Sequence, residues 1–81
     1  MIVDLLVQIS DEDAKILIKD KIKVAYELLK KDEEAKVSWR DLILVETIFE
    51  NKGRCYYHCV ELYQDADGNY YMRWYENDSS D

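Results

Sequence analysis

The sequence predicts an α+β fold in which one long helix packs on a three-stranded antiparallel meander, with a short N-terminal strand or helix. Two observations carry this prediction. Apolar residues recur at helical spacing in the first half of the chain, and the second half places each of the two glycines after polar turn residues. At 81 residues the chain is expected to form one domain over residues 1–81, with a polar acidic tail at about residues 77–81.

Residues 2–9 fit two interpretations. Alternate apolar side chains give this segment one apolar face as a strand, whereas Ile2, Leu5 and Ile9 share one face of a helix. The β-branched content favours a strand, whereas the spacing of apolar residues fits either element.

A helix is predicted to begin at about residue 11 and to end near Glu33. Ser10 can cap it, and the three acids that follow favour the positive end of the helix dipole. One apolar stripe then runs along the segment, formed by Ala14, Ile18, Ile22, Ala25 and Leu29. A strand pair turning at Asp20 is the minor alternative, because several of the isoleucines also fit a period of two.

Two hairpins are predicted in the second half, one turning at each glycine. Three-residue loops closed by a glycine place Leu44 opposite Val60 in the first hairpin and Glu61 opposite Arg73 in the second. Because the second pair joins opposite charges across neighbouring strands, it supports the register that produces it.

The first strand of this meander has a helix as its alternative interpretation. Residues 39–52 also fit a helix that is capped by Ser38 and ends before Gly53. The segment therefore remains either a strand or a helix, and the meander is the favoured interpretation.

Net charge narrows the class of partner. The chain has 18 acids and 11 bases, and residues 41–81 hold nine of the acids but only three of the bases. Direct binding to nucleic acid is disfavoured, because it depends on cations that neutralise phosphates. No apolar run is long enough to span a membrane, and the N-terminus lacks a secretory pattern, so a cytoplasmic protein is expected.

Few residues in the sequence suggest a metal-binding or catalytic site. Cys55, His58 and Cys59 form the one cluster of metal-ligand types, and three ligands on one segment are too few for a structural zinc site. We expect reduced cysteines, no metal and no cofactor. The predicted register sets His58 between Glu46 and Glu76, which predicts a raised pKa for the imidazole. No serine or cysteine beside it has the pattern of an activated nucleophile, so an enzyme is not expected.

A tyrosine-rich, acidic sheet face is the predicted partner-binding site. Tyrosine supplies a large contact area with a polar tip, and carboxylates pair with lysine or arginine. The candidate residues are Tyr57, Glu61, Tyr63, Asp65, Asp67, Tyr71, Tyr75 and Glu76.

These features favour a small non-catalytic binding protein that docks on a basic, nucleic-acid-binding protein and blocks it. In overall character the chain is similar to phage-encoded inhibitors that mimic nucleic-acid charge, of the anti-restriction or anti-CRISPR type; the likeness is one of composition and not of motif. The alternative is a structural subunit or homodimer that associates through its tyrosine-rich sheet.

Overall fold

A computed structural model describes residues 1–31 and 34–78 of the chain, except for the side chain of Lys31. The elements in chain order are strand β1 (Ile2–Ile9), helix α1 (Asp11–Asp20), helix α2 (Ile22–Lys31), a 3₁₀ turn (Trp39–Asp41), and strands β2 (Ile43–Lys52), β3 (Tyr56–Gln64) and β4 (Tyr70–Asp78). The strands form one antiparallel sheet in the order β1-β4-β3-β2. The predicted architecture of one long helix on a three-stranded meander is therefore wrong.

The fourth strand is the N-terminal segment. Residues 2–9 form a strand, as their β-branched content favours, and β1 pairs with β4 so that Leu5 lies opposite Trp74. Its alternate residues Val7 and Ile9 are buried in the main core. The sequence pattern of β1 gives its period but not its neighbour, and this pairing converts the meander into a four-stranded sheet.

Lys21 divides the predicted helix into two. The helix begins as expected, because the Ser10 hydroxyl accepts a hydrogen bond from the Asp13 N–H at 3.1 Å. At Lys21, however, φ is 52°, and the Lys21 N–H donates to the Leu17 carbonyl at 2.9 Å to close the first helix. A lysine in this region of backbone space is unusual, and neither glycine nor proline signals the break. The prediction of one continuous helix is wrong at this residue.

The break also changes which side chains face the sheet. The buried helix residues are Ala14 and Leu17 in α1 and Ala25 and Leu28 in α2, whereas Ile18 is exposed. These helix side chains pack on the apolar face of the central strands, where the fully buried members are Val60, Leu62 and Met72. The main core is therefore one helix layer on one face of the sheet.

The two hairpins differ in how well the sequence predicts their register. Glu61 lies opposite Arg73 between β3 and β4, which confirms the predicted register of the second hairpin. Gly68 adopts φ 90°, as its turn requires. In the first hairpin Leu44 lies opposite Tyr63 instead of Val60, so that register is wrong.

Two bulges in β2 accompany the changed register. The pairing with β3 shifts between Leu44 and Glu46 and again between Thr47 and Phe49, which leaves Val45 and Ile48 as extra residues. Residues 43–52 nevertheless form a strand, so the helix alternative for residues 39–52 is wrong there.

Asn77 and Asp78, the first two residues of the predicted acidic tail, belong to β4. Asn77 pairs with Ile2, and the terminal amino group of Met1 donates a hydrogen bond to the Asp78 carbonyl at 2.6 Å. The rest of that predicted tail, residues 79–81, lies outside the described residues.

Candidate docking surface

The side of the sheet that faces away from the helices, the outer face, carries most of the predicted site. Successive strand residues point to opposite faces, so the neighbours of the buried Val60, Leu62, Met72 and Trp74 lie on this side. They include five of the predicted residues: Tyr57, Glu61, Tyr63, Tyr71 and Tyr75. The structure thus brings these side chains together on one surface.

A segment of the chain itself covers part of this face. Residues 34–42, the covering segment, place Ala35, Trp39 and Leu42 against a second apolar cluster that contains Tyr63 and Tyr71. Both tyrosines are buried, and the rings of Trp39 and Tyr63 lie 6.0 Å apart. The expectation of four exposed tyrosines is therefore not met at Tyr63 and Tyr71.

Arg73 is the polar centre of the outer face. Its Nε and Nη2 donate to the two carboxylate oxygens of Asp4 at 2.9 and 3.1 Å, and its Nη1 donates to Glu61 at 2.9 Å. The guanidinium carbon lies 4.1 Å from the centre of the Trp39 ring and 4.9 Å from that of Tyr75. Arg73 therefore holds β1, β3 and the covering segment together through paired charges and cation–π contacts.

This arrangement uses the charge of Glu61 within the protein. Burial lowers the pKa of Arg73, but its hydrogen bonds to Asp4 and Glu61 outweigh that effect and raise the pKa above its ordinary value. Burial and the hydrogen bond that Tyr63 donates to Glu61 raise the pKa of Tyr63 to about 12. Glu61 is thus less available to a partner than its place on the outer face suggests.

The part of the outer face beyond the covering segment presents Tyr57 and Tyr75. Both are half-buried, and their rings lie 5.9 Å apart. The Tyr57 hydroxyl donates to Glu50 at 3.0 Å, and the Lys52 amino group lies 5.9 Å from the Tyr57 ring. Hydrogen bonding to Cys59, burial and the bond to Glu50 raise the pKa of the Tyr57 phenol, so it stays a neutral donor.

Asp65 and Asp67 lie in the turn between β3 and β4 and have different surroundings. Asp65 accepts hydrogen bonds from the Asp67 and Asn69 N–H groups at 2.9 Å, from the Asn69 amide at 3.0 Å and from the Tyr71 hydroxyl at 3.1 Å. The bonds from Asn69, Tyr71 and Asp67 lower the pKa of Asp65 despite the opposing effect of burial. Asp65 therefore stabilises the turn, whereas Asp67 is exposed and faces solvent.

Glu76 lies apart from the other predicted site residues, on the helix side of the sheet opposite His58. His58 Nε2 is buried without a hydrogen bond, 4.0 Å from a Glu76 oxygen, and the ring packs on Trp74 at 4.5 Å and on Phe49 at 5.2 Å. Burial lowers the pKa of His58, and Glu76 opposes that effect only in part. The predicted rise in pKa is wrong because Asn51, not Glu46, lies across from His58 and the imidazole is buried.

Asp4, Trp39 and Leu42 are the parts of the outer face that sequence reasoning missed. The period-two pattern of residues 2–9 places Asp4 on the face opposite Val3 and Leu5, which is a signal for one partner of Arg73. No local pattern indicates that Trp39 packs against Tyr63 and Arg73, because these residues are far apart in the chain.

The two cysteines differ in exposure. Cys55 lies in the exposed loop before β3, whereas Cys59 is buried. No group of three metal-ligating side chains occurs within residues 1–31 and 34–78. In the same part of the chain, neither helix has the length and apolar character that crossing a membrane requires.

The free edge of β2 is the most apolar exposed part of the sheet. Ile43, Leu44 and Val45 are consecutive exposed residues at its start, and β2 pairs only with β3.

Comparison of the chain with protein-family models, with curated proteins and with solved structures gives no match.

Proposed function

We propose that this chain is a non-catalytic binding protein that docks on a basic, nucleic-acid-binding protein and blocks the surface that normally holds phosphates. The finer form of the proposal is an inhibitor that mimics nucleic-acid charge, of the kind that phages direct against restriction or CRISPR systems. Competition for a basic groove needs acids at the contact, and electrostatic steering would raise the rate of association.

The distribution of charge between the helices and the rest of the described chain supports this proposal most directly. The helical residues 11–31 hold five acids and six bases, whereas the rest of the described chain holds ten acids and five bases. The strands, turns and covering segment are therefore acidic, and the helix layer is nearly neutral. A basic partner would be attracted to the strands and turns more than to the helices.

Exposed acids that have no structural partner are the ones able to meet such a protein. Asp41 and Asp67 are exposed, and no ion pair joins either carboxylate to a cation in the described parts of the chain. Glu61 and Asp65 have internal partners, so their replacement would change stability together with charge. Asp41 and Asp67 therefore replace them as the positions at which charge is tested.

The experiment is capture of proteins from a cellular lysate on the immobilised chain, followed by elution with salt or with nucleic acid. The proposal expects basic nucleic-acid-binding proteins that are released by both treatments and lost with the double substitution Asp41→Lys and Asp67→Lys. Glu27→Lys combined with Asp20→Lys is the matched control, because it changes net charge equally on the helix side. Capture that resists salt, or that both double variants reduce equally, contradicts the proposal.

The alternative of a subunit that associates through its tyrosine-rich face has less support. Tyr63 and Tyr71 already pack against Leu6, Trp39 and Leu42 of the same chain. That leaves Tyr57 and Tyr75 as the accessible tyrosines of the face, which is a small apolar area for a stable dimer.

A further inference from the structure

We propose that β2 is an acceptor edge to which a basic partner adds an extended strand, so that the four-stranded sheet gains a fifth. This inference rests on the proposed function, because it names the segment of the basic partner that docks and the place where it docks. Strand addition supplies affinity through main-chain hydrogen bonds and specificity through alternating side chains.

The two edges of the sheet differ in their availability. At the β1 edge the Ala35 N–H donates to the Leu6 carbonyl at 2.6 Å, and Glu34 forms a bridge with Val7. The covering segment thus satisfies part of that edge from within the chain. No described residue pairs with the free edge of β2, which leaves a row of main-chain donors and acceptors open to a partner.

Apolar side chains at the start of β2 point to both faces of the sheet. Ile43 lies opposite Gln64 on the helix side, whereas Leu44 lies opposite Tyr63 on the outer face, and Val45 occupies the bulge. A partner lying on one face would cover only one of these side chains. A strand added beside β2 contacts its neighbours on both faces, so the exposed side chains favour an edge contact.

The edge also lacks most of the features that usually prevent pairing. Natural edge strands are protected by lysine, proline, bulges or a covering loop. The chain has no proline, and the lysine of β2 is its last residue, Lys52, outside the apolar run. The bulges at Val45 and Ile48 do twist this edge, so we expect it to accept a short strand rather than an extended sheet.

Acidic residues along this edge identify the added strand as basic. Asp41 precedes β2, Glu46 lies on its helix side opposite Leu62, and Glu50 lies on the outer face opposite Cys59. No ion pair joins these carboxylates to a cation in the described residues; Glu50 accepts the bond from Tyr57. A second copy of the chain would bring the same acids to the same edge, so charge favours a strand in which lysine or arginine alternates with apolar residues.

The test uses a defined probe, an octapeptide that alternates lysine and valine and is blocked at both ends. Binding is measured by fluorescence anisotropy at low salt, and hydrogen exchange reports protection of the β2 amides. Two further peptides separate charge from pairing: one has glutamate in place of lysine, and the other has proline in place of a central valine, which removes a main-chain donor.

Two protein variants locate the site. Ile43→Lys places a charge on the β2 edge, and Ile2→Lys is the matched control on the β1 edge, because these isoleucines are 69% and 65% exposed. We expect Ile43→Lys and the proline peptide each to weaken binding by about ten-fold, with slowed exchange in β2, while Ile2→Lys changes binding by less than about two-fold. Circular dichroism establishes that both variants are folded.

Each other outcome overturns the inference. If the proline and lysine peptides bind equally, the contact is electrostatic only; the strand addition then fails, but the proposed function stands. If the glutamate peptide binds as well as the lysine peptide, the preference for a basic partner fails as well. If the lysine peptide does not bind, or if the chain forms dimers that Ile43→Lys dissociates, a basic strand is not the occupant of this edge.

Discussion

Arg73 offers a direct test of what holds the covering segment on the sheet. Arg73→Ala removes the counter-charge of Glu61, whose side chain is 17% exposed, and of Asp4, whose side chain is 37% exposed. A partly buried ion pair that loses one partner costs about 3 kcal/mol, whereas an exposed pair such as that with Asp4 adds less than about 1 kcal/mol. The lost contact with Trp39 adds about 1 kcal/mol, so we expect a total loss of about 4 kcal/mol.

Urea unfolding, followed by circular dichroism and tryptophan fluorescence, measures this loss. Arg40→Ala is the matched control: Arg40 also lies over the Trp39 ring, at 5.0 Å, but it is exposed and forms no ion pair in the described chain. We expect the control to lose less than about 1 kcal/mol. Adding Glu61→Gln to Arg73→Ala should recover part of the loss, because it removes the charge left without a partner. Equal losses for the two arginine variants would refute the role given to Arg73.

Two further predictions concern the helix break and the buried histidine. Lys21→Gly is expected to raise the free energy of unfolding by about 1 kcal/mol, because glycine relieves the backbone strain at φ 52°. Lys15→Gly, within α1, should lower the free energy of unfolding by a similar amount. Denaturant midpoints, with no change in slope, measure both effects, and a lower stability for Lys21→Gly would contradict the strain at this residue. The pKa of His58 is lowered below 6.5 in the folded protein, so the unfolded chain binds the proton first and stability falls as pH drops from 6.5 towards the folded-state pKa. His58→Phe should flatten this slope in thermal unfolding between about pH 5 and 7, and an unchanged slope would assign it to other groups.

Local signals predicted the parts of the fold that depend on local chemistry. The Ser10 hydroxyl caps the first helix where expected, and Gly68 sets the pairing of Glu61 with Arg73. The failures arise where the deciding interaction is distant or has no residue signature. Lys21 breaks the helix without glycine or proline, and the bulges in β2 change a register that the turn at Gly53 predicts.

In the candidate site, too, local signals predict some features, whereas contacts between distant residues determine others. Alternation along β3 and β4 places Tyr57, Tyr63, Tyr71 and Tyr75 on one face without knowledge of the rest of the chain. Whether those tyrosines are accessible depends on the covering segment, in which Trp39 packs against Tyr63. No periodicity in the sequence predicts that contact. The composition of the outer face was therefore predictable, but its coverage was not.

The position of β1 next to β4 has a consequence for synthesis on the ribosome. Sixty residues separate the end of β1 at Ile9 from the start of β4 at Tyr70. At usual rates of elongation, β1 emerges on the order of 3 to 12 s before the strand that will pair with it. Its apolar side chains, Val7 and Ile9 among them, are then without their final neighbours, so the nascent chain exposes a strand that a chaperone can bind until β4 emerges.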